Sequence, residues 1–194
     1  EGDFLLAKKY KIPLTDKFRT QLMGRGIKEC SKLFIDSFSI PVSVEEFTKE
    51  RSKFVYKILF KKLKLMPFSI QLIQKLKKQG YTLAIATAGH DNATTKKILN
   101  QLSIFDYFSF IVSGLEVKNS KPAPDIFLET ARRMGLLPKE CMVIEDAING
   151  VIAGKAAGMK VVGVKEDKKI QARFNQVKAD YVYTDLNIPT SIFL

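Results

Sequence analysis

The chain has 194 residues, of which 46% are hydrophobic and 27% charged, and it carries a formal net charge of +12. That length and balance allow a substantial buried core and exclude both a disordered chain and a disulfide- or metal-stapled mini-fold. No apolar run approaches the roughly 18 to 20 residues that span a bilayer, and no signal-peptide pattern opens the chain, so a cytoplasmic protein without a membrane partner is expected.

Residues 1–65 read as helices only: "DFLLAKKY" (3–10), "TDKFRTQLM" (15–23), "IKECSKLFIDSF" (27–38) and a long helix over 43–65. The long one opens with Ser43 and Glu46, the spacing of a capping box. Its lysines, as in "KILFKKLKL", alternate with apolar partners at a helical period. A solvated basic face is therefore expected. No basic strand interleaved with aromatics accompanies it, which argues against a nucleic-acid footprint.

After Pro67 the pattern changes. Helix 69–80 ends at Gly80, a natural helix-terminating residue, and leads into the apolar strand "TLAIA" (82–86). Helix 91–102, strand "YFSFIVS" (107–113), helix 124–135, strand "CMVI" (141–144), helix 147–158, strand "KVVGV" (160–164) and strand "DYVY" (180–183) follow. Alternation of this kind predicts an α/β fold, a parallel Rossmann-like sheet with helices on both faces, next to the small all-helical domain. Cys30 and Cys141 lie far apart without metal-ligand or CxxC spacing, which suits two reduced, buried thiols. The sequon at Asn92 carries no weight without a secretion signal.

Ligands of such sheets bind at the carboxyl ends of the strands, where three stretches stand out. In "AIATAGHDN", Thr87 ends a strand and small residues follow, whose backbone amides can approach an anion; an ordinary turn before a helix is the alternative. In "NSKPAPDIF", Lys121 precedes Pro122, which biases it to an extended backbone, and Pro124 and Asp125 suit a helix start. In "VIEDAINGV", Glu145 and Asp146 end a strand side by side. Helix capping by Asp146 explains one acid, whereas a hard cation such as Mg²⁺ takes one or two carboxylates together with phosphate oxygens. Gly150, Ala153, Gly154, Ala157 and Gly158 fall at helical intervals, which lets the following helix lie close to the sheet.

In order and spacing, "TAG" after "LAIA", "SKPAPDIF" and "MVIEDAINGVIAGKAAGM" resemble the second, third and fourth motifs of the haloacid dehalogenase-like hydrolase superfamily. The nearest likeness is to the branch of beta-phosphoglucomutase and the sugar-phosphate and pseudouridine-5′-phosphate phosphatases. The resemblance covers nearly the whole chain and implies a helical cap domain (1–65), with a specificity loop at "LMGRGIKEC", and an α/β core (66–194). It implies phosphoryl transfer with Mg²⁺ as cofactor and a small phosphorylated sugar or nucleoside as partner. Thr87 would hold phosphoryl oxygens and Lys121 would neutralise charge as catalytic residues. Ala88, Gly89 and His90, with Arg25 and Lys28 of the cap loop, would meet the substrate, and Glu145 and Asp146 would hold the metal. For His90 an exposed loop histidine, and for Arg25 and Lys28 two solvated cations, are the alternatives.

The family's first motif, an apolar strand ending in DxDG, has no match in these residues. The nucleophilic Asp is therefore expected upstream of residue 1, on a strand between those ending at Thr87 and Glu145. Its absence would leave two open sheet edges. Pro67-Phe68 stands where a Pro-Gly hinge is common. Three functions follow as expectations: a phosphatase, with a phosphosugar mutase as its nearest alternative; an inactive relative that binds phosphorylated metabolites; and a basic nucleic-acid-binding protein. The sequence leaves the oligomeric state open, with a monomer as the expectation.

Overall fold

A computed structural model of the chain describes residues 2–22 and 25–193. Its first part is helical: α1 (Gly2–Lys9), α2 (Asp16–Leu22), α3 (Ile27–Phe38) and α4 (Val44–Lys62). An aromatic cluster holds them together. Phe34 and Phe47 are fully buried, and Phe18 meets Phe34 edge-on at 5.0 Å. α1 crosses α4 so closely that a Cβ on Gly2 would lie 2.6 Å from the Val55 Cα, and Arg51 of α4 holds both carboxylate oxygens of Asp3. The Ser43 half of the capping box is present, its Oγ accepting from the Glu46 N–H. Lys49, Lys53, Lys57 and Lys61 recur every fourth residue along α4, and all four are exposed.

The second part alternates: α5 (Ser69–Lys78), β1 (Ala84–Thr87), α6 (Asn92–Gln101), β2 (Phe110–Ser113), α7 (Asp125–Met134), β3 (Met142–Glu145), α8 (Ile148–Ala156), β4 (Lys160–Val164), α9 (Lys168–Gln176) and β5 (Tyr181–Tyr183). Every strand pair is parallel, as alternating strands and crossover helices require. The strands do not form one ladder, however. β1 pairs only with β2, and β3, β4 and β5 form a separate sheet in that order. One core still runs beneath both sheets, joining Val112 of β2 to Val143 of β3 through Ile126 of α7 and Val151 of α8. On β3, Ile144 is 37% exposed, an unusual state for an apolar residue in the middle of a parallel strand.

Helix α9 has no counterpart in the sequence reading. Its segment "KKIQARFNQ" is dominated by polar side chains, and its burial depends on Phe174 reaching the core. Gly163 makes that possible, because a Cβ there would collide with the Phe174 ring at 2.5 Å. Cys30 is buried and Cys141 half-buried; both are free thiols, and burial pushes both up from the usual thiol range. Among the described residues no helix is long and apolar enough to cross a membrane.

Candidate functional site

A cavity of about 520 Å³ opens at the carboxyl ends of β1 and β3. Thr87, Ala88, Gly89, Lys121, Glu145, Asp146 and Arg25 all line it, together with apolar side chains that include Met66, Ile144 and Leu186. The polar part of this lining comes from the end of β1, the segment before α7, the end of β3 and the loop before α3. Met23 and Gly24 of that last loop lie outside the described residues.

At the β1 end the Gly89 N–H donates to Thr87 Oγ1 at 3.3 Å. The Thr87 hydroxyl keeps its own proton to donate elsewhere. Asp91 caps α6, its carboxylate accepting from the Thr94 N–H at 2.6 Å; that hydrogen bond holds Asp91 below the ordinary carboxylate range. Ser113 of β2 donates its hydroxyl to the His90 carbonyl.

Lys121 is buried, with a cis bond to Pro122, and spans the two sheets: its Nζ donates to the Ala86 carbonyl of β1 at 3.2 Å and is paired with Glu145 of β3. β1 and β3 share no backbone ladder, so this ammonium is a polar bridge between their facing edges. Asp146 has its own cation: Lys165 Nζ donates to Asp146 Oδ2 at 3.0 Å. The sequence reading missed Lys165, whose signal lies in strand register. β3 pairs Glu145 with Gly163 of β4, which carries Lys165, two residues further on, to the same rim.

Two glycines of α8 separate in role. A Cβ on Gly154 would press on Val161 at 2.7 Å and on Val143, which is the close helix-to-sheet approach expected from the spacing. Gly150 does something else. Its Cβ would stand 2.1 Å from Cδ of Glu145, so the missing side chain makes room for the carboxylate.

Two expected substrate contacts fall outside the cavity lining. Lys28 is exposed on α3. His90 turns toward the helical layer, its ring 5.4 Å from that of the half-buried Tyr56 on α4. Arg25 does reach the cavity, and its Nε–H donates to the Gln21 carbonyl. The neighbouring Gly26 packs on the segment before Lys121: a Cβ there would sit 2.6 Å from Ser120 Oγ.

Among the described residues no group of three or more His, Cys, Asp or Glu side chains comes together. Glu145 and Asp146 nevertheless fit a hard cation. They supply two carboxylates at the mouth of one cavity, and Mg²⁺ is commonly held by one or two carboxylates completed by water and substrate phosphate.

The family model described as haloacid dehalogenase-like hydrolase matches residues 4–164. The chain is 32% identical over 162 residues to a probable pseudouridine-5′-phosphatase of Drosophila melanogaster, covering 81% of this chain and 70% of that protein. It is 36% identical over 144 residues to the bifunctional riboflavin kinase/FMN phosphatase of Arabidopsis thaliana, covering 74% of this chain but only 38% of that one. Among solved structures, a beta-phosphoglucomutase from Clostridium difficile superposes with a TM-score of 0.83 at 25% identity, covering 96% of this chain and 82% of that chain.

Proposed function

Because the chain belongs to the haloacid dehalogenase-like hydrolase family, we propose that it houses most of the active site of a Mg²⁺-dependent phosphatase that acts on a small phosphorylated sugar or nucleoside in the cytoplasm. One observation supports this above the others. Thr87, Lys121, Glu145 and Asp146, drawn from three separate stretches, line a single cavity at the carboxyl rim of a parallel sheet.

In this reading residues 1–65 are the cap and 66–194 the core. The Thr87 hydroxyl donates to a phosphoryl oxygen, and the small residues Ala88 and Gly89 let that group approach the backbone. Lys121 offsets negative charge between nucleophile and phosphate, and its burial strengthens that effect. Glu145 and Asp146 hold Mg²⁺, which supplies further charge stabilisation when bound. Arg25 reaches the distal part of the substrate from the cap side.

The nucleophilic Asp belongs on a parallel strand seated between β1 and β3, whose facing edges are joined by no ladder. Its carboxylate oxygen attacks phosphorus as the P–O ester bond breaks, and the second Asp of the same Asp-X-Asp pair would give its proton to the leaving oxygen. Water then releases inorganic phosphate from the aspartyl-phosphate. A strand in that position would also cover Ile144, the exposed apolar residue on β3.

A phosphosugar mutase is the second reading, favoured by the likeness to beta-phosphoglucomutase. Incubation with a hexose 1-phosphate separates the two, since a phosphatase releases orthophosphate and a mutase yields the 6-phosphate. The main test uses the chain joined to an apolar strand ending in Asp-X-Asp-Gly. With Mg²⁺ it should hydrolyse a generic phosphomonoester, and Asp146→Ala should abolish turnover. Unchanged turnover in that variant overturns the assignment of the metal ligands.

A further inference from the structure

We infer that Tyr56 of α4 is a positioning residue for the loop 87–91, so that the helical layer holds the anion-facing backbone in place through His90. This rests on reading that loop as the phosphate-binding segment. Thr87, Ala88 and Gly89 line the cavity, and His90, the next residue, does not. Its ring instead lies against Tyr56, with centroids 5.4 Å apart and planes tilted by 50°. Tyr56 is half-buried on α4, and burial pushes its hydroxyl above the ordinary phenol range. One side chain of the helical layer therefore packs directly on the loop.

The loop's other restraints come from the core. Ser113 holds the His90 carbonyl and Asp91 caps α6. Neither fixes the His90 ring. Its Nδ1 is buried without a hydrogen-bond partner among the described residues, so packing against Tyr56 is the contact that orients the ring. The charged groups facing it are Asp91 on the core side and Arg51 on α4. Arg51 is itself tied to Asp3, so the tyrosine stands on a braced part of the helical layer.

A shift of α4 would thus be felt at Ala88 and Gly89. Removing the Tyr56 ring should loosen the loop while the aromatic cluster of Phe18, Phe34 and Phe47, which does not include Tyr56, keeps the helical layer folded.

The test is amide hydrogen exchange together with titration by inorganic phosphate, on the chain carrying Tyr56→Ala or Tyr56→Phe. In Tyr56→Ala, exchange at residues 88–91 should accelerate about tenfold while that of α1 and α3 stays unchanged, as expected for a local opening. The dissociation constant for phosphate should rise by about tenfold in the same variant. Tyr56→Phe keeps the ring and should remain within about twofold on both readouts. Wild-type exchange at 88–91 in Tyr56→Ala overturns the inference, and so does acceleration spread evenly over the helical layer. If the wild-type chain itself fails to take up phosphate, the phosphatase reading falls, while the exchange pattern still decides the role of Tyr56.

Discussion

Where β1 ends, the cavity wall is made of Thr87, Ala88 and Gly89, with no fixed charge; where β3 ends, it is made of two consecutive acids, each held by a lysine. The first wall offers a hydroxyl and close backbone, which suits an anion. The second concentrates negative charge, which suits a cation. Lys121 touches both walls, through the Ala86 carbonyl on one side and the Glu145 carboxylate on the other. Two chemistries that attract opposite charges are kept on separate strands and joined by one buried ammonium.

The two acid–lysine pairs differ as sharply as the two walls. The Lys121–Glu145 side chains are 6% and 11% exposed, whereas those of Lys165–Asp146 are 29% and 55% exposed. Breaking the buried pair by Lys121→Ala leaves Glu145 uncompensated and should lower unfolding stability by about 3 to 5 kcal/mol, read from urea denaturation. A loss no larger than that of a surface pair would mean that Lys121 does not bridge the walls.

Gly150→Ala attacks the same wall without removing a charge. The new methyl group must displace the Glu145 carboxylate, for an expected loss of about 1 to 3 kcal/mol. A crystal structure of the variant should show that carboxylate moved. Gly154→Ala, whose obstacle is Val161, should leave Glu145 in place.

On the β1 side, the chain enters α5 through Phe68 at φ 65°, a left-handed conformation that suits glycine. Phe68→Gly should relieve about 1 kcal/mol of strain and raise the urea midpoint, offset in part by the greater freedom of the unfolded chain. At the exposed pair, Lys165→Ala should change stability by less than about 1 kcal/mol. A much larger loss would erase the contrast between the two pairs.

The last test uses pH. Burial pushes His90 below the ordinary imidazole range, with Asp91 opposing the shift and Arg51 adding to it. A depressed histidine contributes stability that is present above its unfolded pKa, near 6.5, and lost as pH falls toward the folded value. His90 is the only histidine in the chain, so the slope of stability between pH 6.5 and 5 should flatten in His90→Asn.

Much of this arrangement is legible in the sequence because it is local. Strand periodicity ending in Thr87 or in Glu145-Asp146 locates the rim, and Pro124, Asp125 and Asp91 mark helix starts by their own backbone and hydrogen-bonding chemistry. Helix α9 escaped because its polar run becomes amphipathic only once Phe174 has a core to enter. Lys165 escaped because its meeting with Asp146 depends on which residues of β3 and β4 face each other.

Sequence by itself determined the order of elements apart from α9, the helical and alternating parts, and the residue types gathered at the strand ends, since these follow from short-range periodicity and side-chain chemistry. Tertiary structure alone decided that Lys121 bridges the edges of β1 and β3, that Gly150 clears space for a carboxylate, and that His90 faces Tyr56 instead of the cavity. Each of those outcomes is a contact between segments distant in the chain, and only packing in three dimensions selects its partner.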